Sequence, residues 1–587
     1  MKRNFFLRGE PILSNQPCNV LRIPMKTKLM VLMLFQLIAS SAMAVTLQVT
    51  TTSDSGRGSL REVLTTINAA IQQESHHILF SIPLSDPGFK AETGSWCITP
   101  LTSLPTITRP VHINGCTNVA QASANTQTCD LANDAQLKIE IKGPGNVDSQ
   151  NLALHGLVLG LGSDGSTIRG ICINNFANVD GAGILVQSNG NEIQGCFIGT
   201  DITGMVSVPN TMALCNEGTD NLIGGLVPAA RNLISGSYGL EGVISKRLGS
   251  LSIIGNTIGL NKEGTAQLAP ESKVGINLGG GHFTKSTISG NVIAGNALAN
   301  IYVNIFPYSA QLTIQGNKIG TDVSGTQSIK GNGNGIEVRT APSVLSSLSY
   351  FEPIHIQENL ISGNKYGIAV KSFVPTQARG TDVEITNNKI GLNAQESQAL
   401  PNELDGILLD SSYGTIIYKN RICGNGNNGI RVDSSRGSLI QSNFIGVNST
   451  TQPIPNLQNG IKLGSYLSAN HITHDVALFD NRIAFNKEKS VTTLPSAKEV
   501  IMRNNILDSN LLHSGEEALS SQTTPEDDSQ ADSTFWFAEN LGHDGLRSNG
   551  ARINALISKN RDVTDRNDAV HQEQSSRRRR TACRRHR

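Results

Sequence analysis

Charge is scarce in this 587-residue chain: charged residues make up 16%, aromatics 4%, and the net charge at neutral pH is +1. A near-neutral molecule exerts no broad attraction on nucleic acid or on a membrane surface, so no nucleic-acid partner is expected. The chain has no C-x-x-C pair, which argues against structural zinc. It also lacks a nucleophile elbow, a Walker loop and a dinucleotide fingerprint. No cofactor is evident on these grounds. Beyond residue 44 no apolar run is long enough to cross a bilayer as a helix.

Glycine, by contrast, occurs 58 times, and asparagine, serine and isoleucine recur beside it. Such a chain turns often and stacks small polar residues, unlike a helical enzyme. Its start has the form of an export signal. Met25-Lys26-Thr27-Lys28 is basic, Leu29 to Ile38 is apolar, and Ala42-Met43-Ala44 is a small-x-small cleavage site. Cleavage is expected after Ala44, with Met25 an alternative to Met1 as the start, and the mature protein is expected outside the cell, at its surface or in the periplasm. Eight cysteines would remain. An exported chain can oxidise them, and one bridge among Cys97, Cys116 and Cys129 is expected, the pair left open.

The main signal is repetition. "GNKIGTD" at Gly316 has relatives in "GCFIGTD" at Gly195, "GNTIGLN" at Gly255, "NNKIGLN" at Asn387 and "SNFIGVN" at Ser442. A second type includes "NLISGS" at Asn232, "NVIAGN" at Asn291, "NLISGN" at Asn359 and "NRICGN" at Asn420. A third is a Gly-Ile-x-Val element: "GILVQ" at Gly183, "GIEVR" at Gly335, "GIAVK" at Gly367, "GILLD" at Gly406, "GIRVD" at Gly429 and "GIKLG" at Gly460. Alternation with period two means strands whose isoleucines share one side. Three such strands make one coil of a solenoid, and successive coils pair in parallel about 4.8 Å apart. The turn asparagines should stack as an amide ladder. Asp322 and Thr321 should close the following loop, since Asn replaces Asp in three relatives.

An open solenoid end invites aggregation. "DSGRGSLREVLTTINAAIQ" supplies a cover: Ser59 with Glu62 forms a capping box, and Leu60, Val63, Leu64 and Ile67 fall at helical spacing. His76 and His77, adjacent on an extended segment, should point opposite ways and serve structure.

"GSLREV", then "LTSLPTITRPVHINGC", then the Ile-Gly-Thr-Asp repeats resemble the bacterial right-handed parallel β-helix repeat proteins with a CSLREA-type N-terminal segment, from about Val45 to Asn510. Gly58 stands where that segment has Cys and Val63 where it has Ala, which removes any thiol role there. The resemblance implies right-handedness and an exported or surface-associated protein. Its wider fold relatives include pectate lyases, polygalacturonases, epimerases and adhesins. The expected fold is therefore all-β, a single-stranded parallel β-helix. A leader occupies 1–44, the cap and irregular first coils 45–150, and the repeats 151–510. An acidic linker, a segment around Trp536 that caps or flanks the last coil, and a disordered Arg-rich tail occupy 511–587.

The register also locates a charged face. If Ile and Val of Gly-Ile-x-Val point inward, the residue between them and the one after face out. Successive coils then present Tyr302 with Asn304, Glu337 with Arg339, Ala369 with Lys371, Leu408 with Asp410, Arg431 with Asp433, and Lys462 with Gly464. One reading is an exposed ion-pair ladder, each pair contributing about 0.2–1 kcal/mol. The other is a groove for a polysaccharide or cell-surface glycan. There Tyr302, Glu337, Arg339 and Lys462 would contact substrate, and Asp410, Asp433, Lys371 and Arg431 are the catalytic candidates for a hydrolase or lyase. Ca²⁺ is the ion such paired carboxylates would take. The expected function is a monomeric, exported protein that recognises an extended polymer. The alternatives are a carbohydrate-active enzyme and, after it, an adhesin or host-directed virulence factor.

Overall fold

The computed structural model describes residues 45–507 apart from 71–74, 117–118, 120, 146–153, 238–240, 246–248, 280–284, 306–310, 330, 341–352, 373–382 and 466–471. The expectations for the leader, the acidic linker, Trp536 and the Arg-rich tail lie outside the described residues.

Each Gly-Ile-x-Val element is a strand, and each is followed by two more before the pattern returns. Asn334–Thr340 leads to Ile354–Gln357 and then Leu360–Ile361; Ile407–Asp410 leads to Ile416–Tyr418 and Arg421–Ile422. From Leu157–Leu159 onward each strand pairs with the strand three places on, and the strands sort into three long sheets of 15, 12 and 15. The first sheet runs from Thr46–Val49 to Ala497–Arg503, the second from Leu157–Leu159 to Val491–Thr493, and the third from Phe89–Lys90 to Ile506–Leu507. Strand pairing in these sheets is parallel apart from the hairpin of Phe89–Lys90 with Ser95–Ile98. The chain is a parallel β-helix.

Period-two alternation sends one side of every strand into the centre. Ile336 and Val338 stack on Ile368 and Val370, then on Ile407 and Leu409, then on Ile430 and Val432, all fully buried. One-residue slippage would turn this whole set outward, so burial itself sets the register. Polar stacking reinforces it. Asn232, Asn256, Asn291, Asn317, Asn359, Asn388, Asn420, Asn443, Asn481 and Asn505 form one unbroken ladder. Each amide N–H donates to the next amide oxygen at 2.9–3.1 Å. A second ladder joins Asn364, Asn402, Asn425, Asn456 and Asn486.

Turns close the coils. Gly320 adopts φ +90°, and a Cβ there would meet the Ser362 carbonyl oxygen at 2.2 Å, so only glycine fits. Beside it, Asp322 Oδ1 accepts the N–H groups of Thr326 and Gln327 at 3.0 and 3.1 Å. Asp201, Asn261, Asn393 and Asn448 hold their own loops in the same way. The Asp-or-Asn position of the repeat is thus a loop closer, since one oxygen acceptor is all it needs.

At the first-sheet end beginning with Thr46–Val49, the helix Leu60–Asn68 buries Leu60, Val63, Leu64 and Ile67 over the core. The Ser59 hydroxyl accepts the Glu62 N–H, and the Glu62 carboxylate accepts the Gly58 N–H at 2.5 Å. No helix among the described residues is long and apolar enough to cross a membrane. His76 is buried, whereas His77 faces out and stacks on His112 with ring centroids 5.0 Å apart.

The expected disulfide is not formed. Cys97, Cys116 and Cys129 are free thiols. Each is held by a different part of the solenoid: Cys97 lies beside Thr99, Cys116 reaches the Gly170 carbonyl, and Cys129 donates to the Gly255 carbonyl at 2.9 Å. Burial and then Glu140 push the Cys97 thiol up to about 11.

Candidate binding face

The second sheet carries the charged residues on its outward side. Tyr302, Glu337, Ala369, Leu408, Arg431 and Lys462 are successive Cα partners, one per coil. Asn304, Arg339, Lys371, Asp410 and Asp433 form the parallel column two residues on. Both columns follow from the inward anchoring of the Ile and Val between them.

The face is less exposed than alternation alone implies. Ala369 and Leu408 are buried, and the Glu337 side chain is only 2% exposed. Outward residues in a tight stack cover one another, so an open ladder of surface ion pairs does not describe this site. Glu337 is surrounded by its own partners. Arg339 Nε lies 2.5 Å from its Oε1, Lys371 Nζ lies 3.7 Å from its Oε2, and Asn334 donates to it through Nδ2. Arg339 also sits over the Tyr302 ring, 5.8 Å from its centroid, and Lys371 over the Tyr366 ring at the same distance. Burial opposes the Arg339 charge, but the Glu337 contact outweighs it and holds the guanidinium above its ordinary pKa. Burial raises the Tyr302 phenol, Arg339 opposing and Glu337 adding to the rise.

Further along, Arg431 bridges two carboxylates. Its Nη2 lies 2.5 Å from Asp433 Oδ2, and its Nη1 lies 3.9 Å from Asp405 Oδ2. Asp410 is the Cα partner of Asp433 on the preceding coil, and Ser411 Oγ donates to its Oδ1 at 3.1 Å. Burial raises the Asp433 pKa against the pull of Arg431, and the Asp410 charge adds to the rise. Burial likewise raises Asp405, against hydrogen bonds from Asn428. Tyr366 is raised by burial and then by Asp405. Each of these directions is the cost of holding a charge away from water.

The structure therefore brings the eight sequence-derived positions onto one face in two clusters, one around Glu337 and one around Arg431. Three further members are not among the positions that follow Gly-Ile: Asn334, Tyr366 and Asp405. Their signal was available, because each immediately precedes the Gly-Ile of its coil.

Chemically, the face offers carboxylates, cations and phenols in close contact, with Arg339, Lys371 and Arg431 turned toward internal carboxylates. The group among the described residues whose ligand atoms converge closely enough for a cation lies elsewhere. It comprises His474, Asp475 and Glu499 near the end of the first sheet, within 4.8 Å of one another. There Arg436 already sits 2.9 Å from Asp475. Ca²⁺ thus has no converged ligand set among Asp410, Asp433 and Glu337.

No protein-family model matches the chain, and no curated protein matches it. Among solved structures it is similar to the Dettilon tailspike protein, at 13% identity over 72% of this chain and 68% of that one, with a TM-score of 0.44. It is also similar to the A-module of the Azotobacter vinelandii mannuronan C-5 epimerase AlgE6, at 12% identity over 79% and 99% of the two chains and a TM-score of 0.28. Pectate lyase Pel9A aligns at 11% identity over 66% and 77%, with a TM-score of 0.29. With scores this low, the fold assignment rests on the strand pairing of the chain itself.

Proposed function

We propose that this is an exported or surface-associated β-helix protein that recognises an extended polysaccharide along the outward face of its second sheet. The observation that supports this reading is the continuous register from Tyr302 to Lys462, which sets polar groups on successive coils. Groups that recur at every coil, about 4.8 Å apart, suit a polymer whose monomers also recur. Tyr302 and Tyr366 offer ring faces, and the carboxylates and guanidinia offer hydrogen bonds to sugar hydroxyls. The test is retention of the purified protein on a panel of neutral and acidic polysaccharides, with and without Ca²⁺. Retention on at least one, lost on replacing Arg339 and Lys462 with Ala, is expected. Failure to bind any member of the panel sinks the reading.

One observation favours a second reading, a carbohydrate-active enzyme. Asp410 and Asp433 are Cα partners, and burial pushes Asp433 toward the protonated form that a general acid requires. Lys371 and Arg431 would then stabilise developing charge. New reducing ends, or unsaturated product seen by ultraviolet absorbance, would establish turnover. Abolition of that turnover in Asp410→Asn and Asp433→Asn would place the enzyme reading first.

A further inference from the structure

The polar column at the start of the second-sheet strands carries more acceptor atoms than its scaffold uses. Asn459 donates its backbone N–H and its amide to Asn428 Oδ1, at 3.2 and 3.0 Å. Asn428 donates the same two groups to Asp405 Oδ1, at 3.0 and 2.8 Å. An asparagine at 405 would accept both bonds equally well. The second carboxylate oxygen of Asp405 is therefore surplus to the ladder, and it is buried without a hydrogen-bond partner. Its side chain is fully buried, where a surplus charge is unfavourable for stability.

Asp433 repeats the situation one coil on. Its Oδ2 meets Arg431, while its Oδ1 is buried and unpaired. Between the two carboxylates, Arg431 leaves its Nε–H without an acceptor. On the same face, two and three coils before Asp405, Asn334 and Asn304 each leave an amide oxygen unpaired. The Asn334 orientation is set by its amide N–H donating to Glu337. The face thus holds surplus acceptors beside a surplus donor.

That combination selects among ligand classes. A carboxylate or sulfate of an acidic polymer only accepts, and it would meet the unpaired oxygens of Asp405 and Asp433. An ammonium group only donates, and it would meet the Arg431 cation. A hydroxyl does both. An oxygen about 2.8 Å from each of two atoms can bridge the 3.9 Å between Arg431 Nη1 and Asp405 Oδ2, accepting from one and donating to the other. Arg431, 31% exposed, is the member of the pair through which an incoming hydroxyl reaches buried Asp405. Formal charge makes no counter-argument, since Arg339, Lys371, Arg431 and Lys462 balance Glu337, Asp405, Asp410 and Asp433.

Building on the glycan reading above, we propose that the Asp405–Arg431–Asp433 cluster is a subsite for a neutral, hydroxyl-rich polysaccharide. One sugar hydroxyl sits between Arg431 and Asp405, and further hydroxyls donate to Asp433, Asn334 and Asn304. The full chain is tested by affinity electrophoresis in a chelating buffer, with a neutral β-glucan and a galactomannan, with polyanionic alginate and pectate, and with polycationic chitosan. The expected result is retardation by a neutral polymer, weakened about tenfold or more by Asp405→Asn through loss of a hydrogen bond to a charged group. The melting temperature of the variant should stay at or above that of the unsubstituted protein, which separates a lost subsite from a lost fold. Asp433→Asn should weaken binding in the same direction. Preference for alginate, pectate or chitosan, or undiminished neutral binding by Asp405→Asn, overturns this inference and leaves the glycan reading intact. No retardation by any polymer overturns both.

Discussion

Unbroken amide stacks run along this solenoid beside a column of the same kind that is interrupted. From Asn232 to Asn505 each position holds asparagine, and each amide is bonded to the next. The column before the second-sheet strands holds Asn334, Tyr366, Asp405, Asn428 and Asn459 on successive coils. In the first stack every acceptor is used by the scaffold. In the second, a carboxylate replaces an amide that the stacking would accept, and oxygens are left over. The difference separates a stack whose hydrogen-bonding capacity the scaffold consumes from a column in which acceptor oxygens are left over.

The comparison is most severely tested inside the unbroken stack. Asn388 donates to Asn420 and to the Ile356 carbonyl, and it accepts two bonds from Asn359. Asn388→Ala should strand these buried partners and cost about 3–5 kcal/mol, read from the shift in a urea unfolding midpoint. A loss below about 1 kcal/mol would mean the ladder is ornamental. In the interrupted column, Asn428→Ala should cost less, about 1–3 kcal/mol, by removing one donor to Asp405 and the oxygen that accepts both Asn459 bonds.

Asp405→Asn should hold or raise stability near neutral pH, unlike any substitution in the unbroken stack. The pH dependence sharpens this. The folded pKa of Asp405 is raised above its unfolded value near 3.9, so the folded state binds the proton more tightly. Its stabilising contribution is complete below the unfolded value and is lost as pH rises through the folded one. Asp433, shifted in the same direction, behaves likewise. Melting temperatures recorded across this range should therefore fall less steeply with rising pH in Asp405→Asn. A parallel pair of curves would show that the carboxylate is not held uphill. The smallest effect is expected at Asp322, where Asn serves in sister loops. Asp322→Asn should change stability by no more than about 0.5 kcal/mol, while Asp322→Ala, which loses two backbone acceptor bonds, should cost about 1 kcal/mol.

Much of this architecture was legible before any coordinates. Ile319, Ile390 and Ile445 recur in the same phrase, and period-two alternation around them leaves one inward side. The capping helix announced itself through Ser59, Glu62 and four apolar residues at helical spacing. The alignment of Glu337 with Ala369 and of Asp410 with Asp433 followed from the same phrase. What could not be read was the burial of Glu337, because it depends on where Arg339, Lys371 and Asn334 direct their side chains. Nor could the free thiols be read. Clustering of Cys97, Cys116 and Cys129 in sequence says nothing about which coil each one touches.

The amino-acid sequence by itself determined the coil, its three strands, the inward isoleucines, the stacked asparagines and the order of residues along the charged face. These are periodic, local properties, and each copy of the repeat restates them. Only the tertiary structure decided which of the outward groups are buried and which atoms remain unsatisfied. Asp405 and Arg431 are separated by a full coil of chain, and their 3.9 Å approach exists only because one coil stacks on the next. Side-chain direction and mutual cover are set by that stacking, and no repeat unit carries them alone.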